Sequence, residues 1–110
     1  MLIYKIAHNA EWQAAEHEGR YAGSAKDRED GFIHFSTAEQ VPGTLARFYA
    51  GADDLLLIAV ETDGLDAVLK FEAASHGGLF PHLYDALPLS AVQWKKPIRR
   101  NADGSFDIAI

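Results

Sequence analysis

The sequence contains no cysteine among its 110 residues. Disulfides and thiolate metal sites are therefore excluded, which is compatible with a reducing compartment, and we expect a cytoplasmic protein. Long apolar runs are also missing. The N-terminal stretch "MLIYKIAHNAEW" meets a polar residue too early for a signal peptide, and no run approaches the roughly 20 apolar residues of a membrane span. We expect a chain that is complete from residue 1 and has no membrane partner.

Positive charge is scarce as well. Lysine and arginine number 10 against 16 acidic residues, which gives a formal net charge of -6. This charge opposes nonspecific attraction to nucleic acid, so we do not expect a nucleic-acid partner. Because 48% of the residues are hydrophobic, the chain can bury a core, and its length predicts one domain over residues 1–110.

The apolar pattern predicts an α+β fold with about six strands and two helices. Asn9 is placed to cap the first helix and Gly19 to end it, while Pro42 suits the first turn of the second. The polar segment 23–31, "GSAKDREDG", has glycine at both ends and predicts a mobile surface loop. The predicted strands are residues 2–7, 32–36, 54–63, 67–73, 91–98 and 105–110, and the predicted helices are 10–18 and 42–50.

A histidine stands inside the apolar stretch "GFIHFST". The strand period of two places Phe32, His34 and Ser36 on one face. Ser36 and Thr37 begin two overlapping capping-box patterns, so the chain is expected to turn into a helix whose first N–H groups suit an anion. Two alternatives stay open on these residues alone: a hydrogen-bonded core histidine with simple capping, or a ligand site.

A second histidine lies in "FPHLYDALP". Pro81 restricts the backbone before His82, which gives the imidazole a defined direction. Tyr84 shares the face of His82 if the segment is extended, and it then adds a hydroxyl beside the ring. A packed aromatic turn is the alternative interpretation.

The five histidines do not have the spacing of a metal site. No pair shows the i, i+4 helical arrangement of a zinc protease, and no cysteine adds a ligand, so we predict no metal. The sequence also lacks the G-x-S-x-G nucleophile motif and the glycine-rich motifs of nucleotide-binding proteins. The histidines are His8, His17, His34, His76 and His82.

Taken in order, "YKI", "GFIHFST", "EQV", "RFY", "KFE" and "FPHLYDALPL" resemble the domain-of-unknown-function family 952, a group of small bacterial proteins. The resemblance spans nearly the whole chain. One departure is Asp85, which follows "PHLY" where the family usually has glycine. The family is similar in fold to the ADP-ribosyltransferases, so the resemblance implies a small mixed or antiparallel split sheet that holds NAD between its halves.

The same resemblance implies three roles, which several residues are able to fill. The resemblance implies a histidine or arginine on an early strand, and Tyr4, Lys5 or His8 is the candidate for that position. It implies a hydroxyl-bearing residue on a middle strand, and His34 with Ser36 and Thr37 is the candidate there. Glu72 or His82 suits the late-strand position, where a carboxylate often stands. The candidate catalytic residues are His34, His82, Tyr84 and Glu72, and the candidate cofactor-binding residues are Ser36, Thr37, Tyr4 and Lys5.

The resemblance implies one function for these residues, and a second function from a different class stays open. The first is an NAD or nucleotide-sugar site of ADP-ribosyltransferase type, in which Glu72 stabilises positive charge on the ribose. An exposed Glu72 beside Lys70, facing only water, is the alternative for that residue. The second function is a noncatalytic module that senses a small anion or a sugar.

Overall fold

The computed structural model describes residues 1–108 and residue 110. Within this part of the chain there are nine strands and three α-helices, joined by short turns that include two 3-10 segments, Ala38–Gln40 and Leu89–Ala91. The strands are β1 (Leu2–His8), β2 (Arg20–Tyr21), β3 (Ile33–His34), β4 (Leu55–Glu61), β5 (Leu69–Ala73), β6 (Leu79–Leu83), β7 (Leu87–Pro88), β8 (Val92–Arg100) and β9 (Phe106–Asp107), and the helices are α1 (Asn9–Glu18), α2 (Ala25–Asp30) and α3 (Val41–Phe48).

Strand β4 lies inside the larger sheet, which has the order β1-β4-β8-β9. Six of the seven residues of β4 are buried. The strand is hydrogen-bonded to a neighbouring strand on each edge and covered by a core on each face. Such a strand is apolar throughout, because neither face alternates with polar residues toward solvent. Its sequence, "LLLIAVE", is therefore explained by its position.

Strands β3, β6 and β5 form a second, smaller sheet in that order. The chain passes from this sheet to the larger one within four residues. Ile33 and His34 pair with β6, and then Ser36 forms a two-way backbone bridge to Tyr4 of β1, with both N–O distances 2.8 Å. The segment from Ile33 to Ser36 thus ties the two sheets together where β3 ends.

Two apolar cores lie on opposite faces of the larger sheet. One is formed with α1 and the inner face of the smaller sheet, and Trp12, Ile58 and Leu83 are among its fully buried members. The other lies under α3 and includes Leu45 and Leu57. Since the smaller sheet gives only one face to a core, its other face is left for the polar and aromatic residues of β3, β5 and β6.

The α+β class is confirmed, and all strand pairs within the described residues are antiparallel. The expected count of about six strands was too low, because β2, β6 and β7 were not among the predicted strands. β2 and β7 are only two residues long, and β6 is the five-residue strand that carries His82. The predicted strand 105–110 is reduced to β9, and its Ala109 lies outside the described residues. No helix in the part of the chain that the structure describes is both long and apolar enough to cross a membrane.

The prediction of a mobile loop over residues 23–31 was wrong, because residues 25–30 form helix α2. Ser24 caps this helix by accepting a hydrogen bond from the N–H of Asp27 at 3.1 Å, and Asp27 accepts one in return from the N–H of Ser24. Gly31 ends it with a left-handed backbone, φ 88°. The predicted Asn9 cap was also wrong: His8 occupies that position, and its side chain makes no capping bond.

We expect Ser24→Ala to lower the free energy of unfolding by about 1 kcal/mol, because the N–H of Asp27 loses its cap. Ser24→Thr keeps the hydroxyl and is expected to retain most of the stability. Ser90→Ala, which removes the hydroxyl of an exposed serine in the 3-10 segment Leu89–Ala91, is the control. Urea unfolding measures all three, and equal stability of Ser24→Ala and Ser90→Ala would contradict the capping role.

Candidate functional site

Two histidines face each other across the smaller sheet. His34 of β3 and His82 of β6 are direct cross-strand partners, so their side chains lie on the same face. Their ring centroids are 5.6 Å apart. The ring of Phe32 stacks on His82 at 4.0 Å with an interplanar angle of 21°, and Tyr84 packs against Phe32 at 5.3 Å. We call this set, together with Glu72, the imidazole face.

Glu72 holds His82 and Tyr84 in place. Its Oε1 atom accepts from the Tyr84 hydroxyl at 2.6 Å and lies 2.9 Å from Nδ1 of His82. The Tyr84 hydrogen bond, followed by the one from His82, lowers the pKa of Glu72, and the same bond raises the pKa of Tyr84. Glu72 is therefore an oriented, ionised carboxylate at neutral pH.

The imidazole face also offers unused hydrogen-bonding atoms. Within the described residues, no hydrogen bond is made by Oε2 of Glu72 or by Nε2 of His82. The ammonium of Lys70 lies 5.1 Å from the centre of the Tyr84 ring, where a cation is attracted to the aromatic face. Because the Glu72 side chain is 37% exposed, a ligand on this face can reach its second oxygen.

His34 lies between two carboxylates. Its Nδ1 is 2.6 Å from Oδ1 of Asp27, and its Nε2 is 3.0 Å from Oδ2 of Asp30. The Nδ1 contact has hydrogen-bond geometry, whereas the Nε2 contact is an ion-pair distance. Nδ1 must carry the proton of its hydrogen bond, because a carboxylate accepts and does not donate. The ring is thereby fixed in orientation, with 35% of the side chain exposed.

Asp27 is the buried support of this arrangement, with only 2% of its surface exposed. Its two oxygens receive four donors: the N–H groups of Ser24 and His34, the ring of His34 and the ammonium of Lys5. Burial opposes ionisation, but the hydrogen bond from His34 and the charge of Lys5 outweigh it and hold the pKa of Asp27 well below its ordinary value. Asp27 is therefore a charged acceptor inside the protein.

Lys5 reaches Asp27 from the larger sheet. Its Nζ lies 2.8 Å from Oδ2 of Asp27 and donates to the carbonyl oxygen of His34 at 3.0 Å. Only 4% of its surface is exposed, and burial lowers the pKa of its ammonium while Asp27 opposes that change. Lys5 was predicted as a cofactor-binding residue, but the structure places its charge behind His34, against Asp27.

Ser36 and Thr37 lie beyond the imidazole face and use their polar groups within the protein. The hydroxyl of Ser36 is bonded to that of Thr44 in α3 at 2.9 Å, and its N–H donates to Tyr4. The N–H of Thr37 donates to Oε1 of Gln40 at 2.9 Å, as the predicted capping box requires. Neither N–H is left for an anion in this structure.

The other early-strand candidates also lie elsewhere. Tyr4 is 5% exposed and packs against Trp94 in the core under α3, on the opposite face of β1 from Lys5. His8 packs near Tyr49 with ring centroids 6.1 Å apart. The structure thus brings together the four candidate catalytic residues and separates them from Tyr4 and His8.

Sequence reasoning missed Asp27 and Asp30 because both stand in the segment interpreted as a loop. The spacing Ser24-x-x-Asp27 is itself a capping-box pattern and would have predicted a helix immediately before "GFIH".

The departure from the family pattern at Asp85 does not disturb the turn. Asp54 is the one non-glycine residue with positive φ in the described chain, so Asp85 adopts an ordinary backbone. Its carboxylate accepts from the N–H of Ala86 at 2.8 Å.

These features define a small α+β protein of three antiparallel sheets, one of them only the β2-β7 pair. A histidine and carboxylate cluster lies on the open face of the sheet β3-β6-β5. The chain belongs to the family described as "Protein of unknown function (DUF952)", which matches residues 6–95. The assignment made from the sequence motifs is therefore confirmed. None of the curated proteins matches the chain.

Solved structures of protein CC0527 from Caulobacter crescentus are similar to this one. The X-ray crystal structure is 46% identical, covers 97% of this chain and 94% of that chain, and superposes with a TM-score of 0.91. The solution NMR structure is 47% identical over 94% of this chain and 90% of that chain, with a TM-score of 0.84. The fold described above is thus shared with a protein whose structure was determined both in crystals and in solution.

We expect Asp27→Asn to lower the free energy of unfolding by about 3–5 kcal/mol, because it leaves the buried Lys5 ammonium without a counter-charge. Glu16→Gln is the matched control: it removes one partner of the Glu16–Lys95 pair, which is 2.6 Å long but 41–45% exposed. Such exposed pairs contribute about 0–1 kcal/mol. Chemical denaturation compares the variants, and similar losses for both would show that the buried pair is not special.

Acid should destabilise the protein through Asp27. Its folded pKa lies below the ordinary value of 3.8, so its stabilising contribution is complete above about pH 5 and is lost as the pH falls through 3.8 toward the folded value. We expect the free energy of unfolding to fall between about pH 5 and pH 3. The ¹³C chemical shift of the Asp27 carboxyl is expected to remain that of the ionised form at pH 3. A titration midpoint near 3.8 would contradict a lowered pKa for Asp27.

Proposed function

We propose that the imidazole face binds an NAD-type nucleotide and acts on the glycosidic bond between its ribose and nicotinamide. The observation that carries the proposal is the Glu72 carboxylate, which is ionised, oriented by His82 and Tyr84, and open at Oε2. An oriented carboxylate beside a sugar stabilises the positive charge that develops there when a glycosidic bond breaks. The ring of Phe32 stacks on His82 and adds an aromatic surface to this face.

The layout of the sheets supports the proposal by analogy. The family resembles the ADP-ribosyltransferases, which hold NAD at a split sheet, and here the chain crosses between two sheets from Ile33 to Ser36. His34 lies at this crossing, and Glu72 lies on a later strand of the smaller sheet. Fold analogy by itself does not establish chemistry, so the argument depends on the side chains.

The proposed reaction is balanced with water as the acceptor. The bond between the ribose carbon and the nicotinamide nitrogen breaks, and nicotinamide leaves as a neutral molecule with the electron pair. The ribose carbon becomes electron-deficient and is stabilised by Oε2 of Glu72. Water then forms the new bond at that carbon and releases one proton, which is accepted by Nε2 of His82, the ring nitrogen that is not bonded to Glu72.

A noncatalytic role is favoured by a different observation, the openness of the face. Tyr84 is 42% exposed, and catalytic sites of this kind gain from excluding water. Two cavities form in other parts of the described chain, one of about 150 Å³ bordered by Arg100 and Phe106 and one of about 460 Å³ bordered by Arg20 and Asp85. The second candidate is therefore a module that binds a small anion or a sugar without turnover.

We expect the protein to bind ADP-ribose and to release nicotinamide from NAD. Glu72→Gln should reduce nicotinamide release about 10²–10³-fold, because the neutral amide no longer stabilises the charged ribose. The same change should alter the affinity for ADP-ribose much less, since that product carries no such charge. Calorimetry measures binding, and a nicotinamide assay measures turnover.

Glu39→Gln, an exposed glutamate outside the face, is the control and should behave as the unmodified protein. Binding of ADP-ribose without nicotinamide release would favour the noncatalytic module. If neither NAD nor ADP-ribose binds at millimolar concentration, the nucleotide assignment is wrong.

A further inference from the structure

The two carboxylates on His34 are held in very different ways. Asp27 is 2% exposed and receives four donors, so its position against Nδ1 is fixed. Asp30 has 29% of its side chain exposed, and its charged contacts are Nε2 of His34 and the ammonium of Lys26. The Lys26 contact is 3.4 Å long, and its side chain is 67% exposed. Nδ1 therefore has a permanent partner, whereas the partner of Nε2 is held at the surface.

We propose that Asp30 occupies the position that an anionic oxygen of the ligand takes at Nε2 of His34, and that it is displaced when the ligand binds. This inference rests on the proposed function, since it names the atom that receives the anionic part of the nucleotide. Oδ2 of Asp30 lies 3.0 Å from Nε2. A phosphate oxygen is also an anionic acceptor, so it can take this position and accept from Nε2 when that nitrogen carries a proton.

The energy of displacement favours this exchange. Exposed ion pairs contribute only about 0–1 kcal/mol, so release of Asp30 from Nε2 and from Lys26 costs little. Asp30 is the last residue of the six-residue helix α2 and precedes Gly31, so its side chain is free to turn toward solvent without unfolding a longer element. The released ammonium of Lys26 remains nearby as a positive group.

The backbone behind His34 does not need to move. Asp27 and Lys5 hold the N–H and the carbonyl oxygen of His34 respectively, at 3.1 and 3.0 Å. The imidazole therefore keeps its direction when Asp30 leaves. Asp30 also selects among ligands, because its negative charge opposes any anion that does not bind well enough to replace it.

The test uses inorganic pyrophosphate and ADP-ribose as probes against the full chain. Asp30→Ala removes the competing carboxylate and should raise the affinity for both probes about tenfold. This is the change in Kd expected when one repulsive charge is removed from a partly exposed site. Glu29→Ala removes the same charge from the neighbouring exposed residue and should leave both affinities nearly unchanged. Asp30→Asn, which is closer in size, is expected to show the same gain and replaces Asp30→Ala if that variant does not fold.

A second readout locates the anion. Pyrophosphate should shift the ¹⁵N resonance of Nε2 of His34, while the Nδ1 resonance, which reports the Asp27 contact, should change little. A purely structural role of Asp30 would alter the melting temperature without producing this anion-dependent shift.

The outcomes separate the two proposals. If Asp30→Ala binds pyrophosphate no better than Glu29→Ala, or if the His34 resonances do not respond, the displacement of Asp30 is overturned. If pyrophosphate behaves as expected but ADP-ribose and NAD bind to no variant, the anion position stands and the nucleotide function is overturned. If ADP-ribose binds all variants equally, nucleotide binding stands and the role of Asp30 is overturned.

Discussion

The carboxylate of Asp27 is the contact on which the rest of the site depends. It joins three parts of the chain that are separate in sequence: Lys5 from the larger sheet, Ser24 at the start of α2 and His34 in the smaller sheet. A charge this deeply buried is tolerated only with its partners in place, and each partner also needs Asp27. The direction of the His34 ring is therefore determined by the folding of the whole core and not by its own strand.

The two histidines of the imidazole face differ in how they are supported. His34, with 35% of its side chain exposed, is held from behind by a buried carboxylate. His82 is itself buried and is held by Glu72, whose side chain is 37% exposed and also bonds Tyr84. Nδ1 is the anchored nitrogen in both rings, so both Nε2 atoms point away from their supports. Side chains that are fixed by packing and hydrogen bonds before a ligand arrives lose little entropy on binding it.

Some of this was accessible from the sequence because the signals are local. The strand period of two predicted that Phe32 and His34 share a face, and the backbone restriction by Pro81 predicted a defined direction for the His82 ring. In the structure the strands of the two histidines are paired, with His34 directly opposite His82. Helix α2 was missed because a short run of charged residues between glycines has the composition of a loop, and its one buried side chain, Asp27, is explained only by Lys5, 22 residues away. Likewise, Glu72 bonds His82 because β5 and β6 form a hairpin, which composition alone does not reveal.

The imidazole face has opposite electrostatic character at its two ends. At one end, Nε2 of His34 lies 3.0 Å from the carboxylate of Asp30, at a position that suits an anionic oxygen. At the other end, Oε2 of Glu72 is an ionised acceptor beside His82, and the two rings are 5.6 Å apart. A simple anion satisfies only the first end and is repelled by the second. A ligand with a phosphate at one end and a sugar that becomes positive at the other satisfies both, and on the proposed function this separation of charge is what distinguishes an NAD-type nucleotide from free phosphate.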